Sequence, residues 1–317
     1  MDLSELTKMT ESQAREFLEE VRWHGTPTCP HCGGTDAYLL RGSATRPGVW
    51  KCRCRKQFTV TVGTVMHRSH IPLRKWVMAF HLMSSSKKGI SALQLQRVLG
   101  IKNYKNAWHL AHRIRLAMRE GLGVLPLKGT VEVDETYVGG KPRKDNKGGC
   151  ESKPKKKSKR GRGTSKIPVL ALVERKGKVF SKPIEHVDAK TLKGAIKEMV
   201  HKDSMIMTDE WAAYDGLDKD FTGGHETVKH NDGEFVRGNA STNTVESYFA
   251  LLKRGVHGAF HHVSKRHLFR YCDEFSFRWN RRKIDDGERT LCIIRGCGGN
   301  ILTYRETKST LVMGARV

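Results

Sequence analysis

The chain has 317 residues, enough to bury a substantial core and to hold two or three domains. Its 58 Lys plus Arg against 33 Asp plus Glu leave a formal charge of +25, which calls for a polyanionic partner and favours nucleic acid over a membrane surface. No run of eighteen apolar residues occurs, excluding a conventional membrane-spanning helix, and eight cysteines in so long a chain exclude a disulfide-dense scaffold.

Residues 1–24 read as an acidic amphipathic helix, with its main run at 10–22 in "TESQAREFLEEVR". No apolar core of a secretory leader is present, so a cytoplasmic protein is expected, associated with the nucleoid when bound to DNA. Residues 25–70 carry "CPHC" and then "CRC", with an apolar strand at 38–40 between them and the alternating strand "QFTVTV" after them. A piece this small cannot hold itself together by its own core. Thiolates of Cys29, Cys32, Cys52 and Cys54 around a tetrahedral Zn²⁺ would supply the missing stability, making this a zinc ribbon. Its second pair is Cys-x-Cys, a tighter knuckle than the usual Cys-x-x-Cys. His31 reads as a solvent-facing turn residue, and Cys150, Cys272, Cys292 and Cys297 as ordinary thiols.

Residues 71–122 turn helical. Pro72 suits a first helical position, and Trp76, Phe80 and Met83 recur at helical spacing. "GISALQLQRVLGIKNYKNAWHLAHRIRLAMREG" predicts a short helix from Ser91, a turn at Gly100 and a longer helix closed by Gly121. This is a helix-turn-helix-like DNA-binding region, with Lys102, Lys105, Asn106, His109 and Arg113 as candidate contacts. The alternative is a plain basic helical hairpin.

From Gly129 the pattern becomes α/β. The strand "TVEVDETYV" is followed by residues 141–166, with 12 basic and 2 acidic residues, so 12 − 2 = +10 of the net charge. A basic loop is expected there, gripping phosphate through Lys155, Lys156, Lys157, Arg160 and Arg162. Next come the strands "IPVLALVE" and "GKVFSKPIE", the helix "DAKTLKGAIKEMV" and the strand "SMIMTD". The helix "EWAAYDGL", the strand "HETVKH", a helix from about Ser241 and a last helix over 264–282 complete the pattern. That order predicts an α/β catalytic domain over 129–284, a ribonuclease H-like mixed sheet flanked by helices. Residues 285–317 are poorly patterned and read as a C-terminal tail.

Asp134 lies inside an apolar strand, where an unpaired carboxylate is costly. Asp209 ends a second apolar strand, which this fold sets beside the first. Two carboxylates in one apolar pocket repel unless a cation lies between them, and a divalent metal resolves the conflict. Glu246, on the later helix "TNTVESYFALLKRG", supplies a third acid. Lys253 lies two turns further along the same face to reach a phosphate, and Asn243, one turn earlier, is an auxiliary or alternative ligand. Each residue has a plainer alternative: a hydrogen-bonded strand acid, a helix cap and a solvated helix residue. Their convergence on one fold favours two-metal phosphodiester chemistry with Mg²⁺ or Mn²⁺. Glu132 and Glu135 read as flanking acids, and His225, His230 and Asp232 as weaker candidates for support. In the last helix, aromatics read as core while Arg278, Arg281 and Arg282 are candidates for the DNA backbone.

These pieces resemble the insertion-sequence DDE transposases with an N-terminal zinc ribbon, the Merlin-related, ISXO-type group. The motifs carrying the likeness are "CPHC…CRCRKQFTVTVGTV", "VEVDETYVGGK", "GRGTSKIPVLALVERKGKV", "TDEWAAYDGL" and "TNTVESYFALLKRGVHGAFHHVSKRHLFRYCDEFSFRWNRR". The resemblance implies a DNA transposase that binds the terminal inverted repeats of its element and cuts and joins double-stranded DNA within a homo-oligomeric synaptic complex. It also implies Asp134, Asp209 and Glu246 as the Mg²⁺ ligands, Lys253 beside the phosphate, and Asn243 as the third ligand of some members. Ser241 stands where a His often precedes Thr-Asn-Thr. A transposase-derived DNA-binding protein without catalysis, and a ribonuclease H-like nuclease that cuts without joining, are the alternatives.

Overall fold

The computed structural model describes residues 3–42, 45–119, 126–139, 164, 166–228, 236–237 and 240–308. The chain divides into two compact units, residues 1–120 with 281–317, and residues 121–280.

The first unit opens with α1 (Leu3–Lys8) and α2 (Glu11–Trp23). A capping box starts α2: Thr10 Oγ1 accepts from the Gln13 N–H, and Gln13 Oε1 accepts from the Thr10 N–H. A three-stranded antiparallel ribbon follows, β1 (Ala37–Leu39), β2 (Trp50–Cys52) and β3 (Gln57–Phe58). The expected strand "QFTVTV" pairs only through Gln57 and Phe58. Beyond them the Val62 N–H donates to Thr59 O and the Thr64 hydroxyl to Thr61 O, local bonds that compete with a ladder.

α3 (Leu73–Ser85) buries Trp76, Phe80 and Met83 completely. Pro72 before it offers no side-chain cap. Glu11 serves instead, accepting from the N–H groups of Leu73 and Arg74 at 2.6 and 3.2 Å. α4 (Ala92–Leu99) is capped by Ser91 and stopped by Gly100 at φ 58°, and α5 (Tyr104–Ala117) follows.

In the second unit β4 (Thr130–Val138), β5 (Ile167–Glu174) and β6 (Val179–Pro183) form an antiparallel meander. α6 (Ala189–Met199) then crosses to β7 (Met205–Asp209), and β8 (His225–Val228) lies beyond it, both parallel to β4. The strand order is β6-β5-β4-β7-β8. The predicted helix "EWAAYDGL" is two short 3₁₀ turns, Ala212–Tyr214 and Leu217–Lys219, separated by Gly216 at φ 82°. A two-stranded ribbon, β9 (Val236–Arg237) and β10 (Ala240–Ser241), leads into α7 (Asn243–Gly255) and, past a π-helical turn at Val256–Phe260, α8 (Leu268–Asn280). One face of the sheet buries Val131, Val133, Leu170 and Leu172 against α6 and the 3₁₀ turns. The other buries Val169, Ala171 and Val173 against α7 and α8.

The chain then rejoins the first unit. The stretch read as a tail forms α9 (Asp286–Arg295), packed on α3, and α10 (Tyr304–Lys308). Its apolar residues are few but placed at helical spacing: Ile293, Ile294 and Cys297 are fully buried. Among the described residues no helix is long and apolar enough to cross a membrane.

Candidate active site and zinc centre

In the ribbon the two cysteine pairs sit on two tight turns. Gly33, at φ 75°, turns the first, and its N–H donates to Cys29 O. Arg55, at φ 68°, performs the same turn in the shorter knuckle, its N–H donating to Cys52 O. Sulfur separations are 3.8 Å for Cys29 to Cys54 and 3.6 Å for Cys32 to Cys52. All four ligand atoms lie within 4.8 Å of one another. Tetrahedral thiolates on ~2.3 Å bonds have sulfur–sulfur edges of about 3.8 Å, so the set fits Zn²⁺. The electrostatics agree. Burial opposes ionisation of Cys29, but backbone N–H groups of His31 and Cys32 and the neighbouring thiols bring it down to about 7. A backbone N–H of Cys54 favours the Cys52 anion, yet burial and the other thiols push it up to about 12. Four crowded sulfurs cannot all ionise without a cation among them. His31 is exposed.

The sheet brings the two aspartates together. β4 and β7 pair in parallel from Thr130↔Met205 to Glu132↔Met207, and there their ladder ends. Asp134 and Asp209 follow two residues later on each strand, at one level, where the strands part. This is the switch point of the sheet: the chain builds β5 and β6 on one side of β4, then β7 and β8 on the other. Asp134 keeps some contact with solvent, but the dense protein around it pushes its carboxyl up to about 7, and the charges of Glu135, Asp209 and Glu246 add to the rise against a bond from the Glu135 N–H. Glu246 therefore lies within electrostatic reach of Asp134. Asp209 also accepts from the Trp211 N–H at 3.3 Å, just ahead of the 3₁₀ turn. Thr208 beside it meets His225 Nε2 at 2.9 Å.

α7 presents Asn243, Glu246 and Lys253 on its exposed side, while Val245, Tyr248, Phe249 and Leu252 are buried. The relation of the three acids is carried by the strand register and by the electrostatic influence of Asp209 and Glu246 on Asp134. Mg²⁺ takes much of its shell from water and substrate phosphate, and a carboxylate set whose like charges oppose ionisation fits such an ion.

Two acids read as merely flanking have definite tasks. Glu135 accepts from the hydroxyl of fully buried Tyr214 at 3.0 Å. Glu132 is itself completely buried, with Arg175 at 2.9 Å, and receives the first turn of α7. The signal was the alternation of the strand, which puts Glu132 on the face of Asp134.

Of the expected DNA contacts, Lys102, Lys105 and Asn106 are exposed at the start of α5. Arg113 is a correction: it is buried, and its guanidinium donates to Leu302 O at 3.1 Å and His67 O at 2.9 Å. His109 is half-buried, with Nε2 donating to Leu302 O at 3.2 Å. Arg278 is also turned inward, paired with buried Glu274 at 2.7 Å. In each case a long basic side chain on an amphipathic helix lies on the packed face and finds a carbonyl or carboxylate there. Arg281 is half-buried and Arg282 exposed. Lys155, Lys156, Lys157, Arg160 and Arg162, like His230 and Asp232, lie outside the described residues.

A five-stranded mixed sheet flanked by helices, in a chain that also carries a four-thiol ribbon, fits the class of DDE transposases with an N-terminal zinc ribbon. Residues 126–280 match the ISXO2-like transposase domain and residues 9–57 the transposase zinc-ribbon domain. An uncharacterized protein in transposable element ISH50 of Halobacterium salinarum is 30% identical over 279 residues, covering 86% of this chain and 92% of that one. An uncharacterized transposase-like protein of Haemophilus influenzae is 29% identical over 110 residues, 34% of this chain and 86% of its own. No solved structure matches. The chain belongs to the ISXO2-like transposase family.

Proposed function

We propose that the protein is the active transposase of an insertion sequence. It binds the element's terminal inverted repeats through the ribbon and the α4–α5 hairpin, and cuts and joins DNA at Asp134, Asp209 and Glu246. The observation carrying this reading is the level placement of Asp134 and Asp209 beyond the last β4–β7 pair, with Glu246 near enough to oppose ionisation of Asp134. Divalent ions held there, Mg²⁺ or Mn²⁺, would supply activation of a water or 3′-hydroxyl and charge relief for the leaving oxygen. The chain's own part is to hold three carboxylates at one end of the sheet and to offer Lys253, exposed two turns along α7 from Glu246, to a phosphate oxygen. Asn243, one turn before Glu246, is a neutral oxygen donor beside the same site. Synapsis of two element ends requires more than one copy of the chain, so a homo-oligomer on DNA is part of the proposal.

Strand transfer of a labelled element end tests it, comparing wild type with Asp134→Asn. Wild type should give cleaved and joined products that need divalent metal, and the variant should lose both by at least about 10³-fold. Cleavage without joining would favour a nuclease. Repeat binding with no metal-dependent product would leave a DNA-binding protein only.

A further inference from the structure

Each of the three acids is preceded, two residues earlier, by a residue that meets a single ion pair. Glu132 precedes Asp134 on β4, Met207 precedes Asp209 on β7, and Thr244 precedes Glu246 on α7. Glu132 and Met207 are register partners, the last of the β4–β7 ladder. Oε1 of Glu132 accepts from Arg175 Nε at 2.9 Å and from Thr244 Oγ1 at 2.8 Å. Oε2 accepts from the N–H groups of Thr244 and Val245 at 2.7 and 3.0 Å. Arg175 Nη2 spans the remaining gap, reaching Met207 Sδ at 3.0 Å, Ser241 Oγ at 2.9 Å and Ser241 O at 3.2 Å.

We propose that Glu132 and Arg175 form a positioning pair that sets the spacing of the three acids; the proposal rests on the reading of those acids as the metal site. Burial argues for a dedicated role, because a carboxylate at 0% exposure is tolerated only when its acceptor sites are filled. Four donors fill them, so Glu132 is not a further metal ligand. Local structure leaves the task open. The β4–β7 ladder stops at this level, and Thr242, the residue capping α7, makes no side-chain cap bond. Glu132 supplies that cap from another element. It thereby fixes the first turn of α7, which bears Glu246, against the strand bearing Asp134. The planar fork of Arg175 ties in β7 and the chain entering α7, which the single ammonium of a lysine could not do at all three points. Ser241 contributes both its hydroxyl and its carbonyl to this fork.

The test uses the full-length protein with Zn²⁺ in its ribbon and no other divalent ion added, and two readouts, amide hydrogen exchange and Mn²⁺ binding followed by paramagnetic resonance. In Arg175→Lys and Glu132→Gln, exchange over residues 241–248 should quicken while β5 and α8 keep wild-type protection, and Mn²⁺ affinity should fall about ten-fold. Wild-type exchange at 241–248 together with wild-type Mn²⁺ affinity in Arg175→Lys would overturn the proposal. Should Glu132→Gln loosen the whole unit, the milder Arg175→Lys decides. Asp134→Asn separates the two readings. If it binds Mn²⁺ as wild type does, the metal-site reading fails, whereas exchange at 241–248 still judges the anchor.

Discussion

Asp134 is the residue whose environment is most demanding. Its ordinary pKa of 3.8 rises to about 7, first through burial and then through Glu135, Asp209 and Glu246. An acid with a raised folded pKa holds its proton more tightly when folded. It therefore costs no stability below the unfolded value and progressively more as pH climbs to the folded one. The gap corresponds to roughly 4 kcal/mol as an upper size. Thermal melts in chelator should find Asp134→Asn equal to wild type near about pH 4 and more stable than wild type near about pH 8. Divalent ions should raise the wild type alone, and parallel melting curves across that range would contradict the electrostatic account. Glu132, two residues away on the same face, is completely buried and accepts four hydrogen bonds, from Arg175, from the Thr244 hydroxyl and from the N–H groups of Thr244 and Val245.

The ribbon and α7 show how an element can depend on something outside itself. β1, β2 and β3 span three, three and two residues, too little ladder for independent stability. Their apolar support is Trp23, edge-on to Trp50 at 6.0 Å and to Phe58 at 5.8 Å. Zinc is expected to hold the strands in that contact. Chelation of Zn²⁺, or Cys29→Ser, should shift the tryptophan emission to the red and weaken repeat binding by at least about ten-fold, while α6 to α8 stay protected from exchange. Unchanged emission after complete metal removal would show that the thiols are incidental. α7 draws on Glu132 in the same way, since the carboxylate accepts from the N–H groups of Thr244 and Val245 in its first turn.

For the whole chain the governing quantity is charge. A surplus of +25 cannot be neutralised internally, and DNA phosphates release counterions when they replace them. Log affinity for an element end should fall linearly with log salt, losing about 10³-fold or more between about 50 and about 200 mM if six or more phosphates are engaged. A nearly flat dependence would remove the electrostatic argument. The same surplus explains why basic residues are poor markers of the DNA face when read singly. Arg113 and Arg278 lie among many others like them, yet both are buried and serve packing.

Local chemistry made much of this protein legible from the chain alone. Cysteine spacing named the four thiols, alternation around Asp134 marked a strand carrying a carboxylate, and Ser91 and Gly100 marked the start of α4 and the turn after it. Order of elements predicted the five-stranded sheet, because crossover rules leave few ways to arrange three strands, a helix and two more. What the tertiary structure decided are the relations between distant residues. That Glu132 caps α7 from 112 positions away, that Arg113 spends its guanidinium on Leu302 and His67, and that residues 286–295 pack as a helix on α3 all depend on which surfaces meet. A side chain's fate on a packed face is set by partners from other elements, and no local pattern records them.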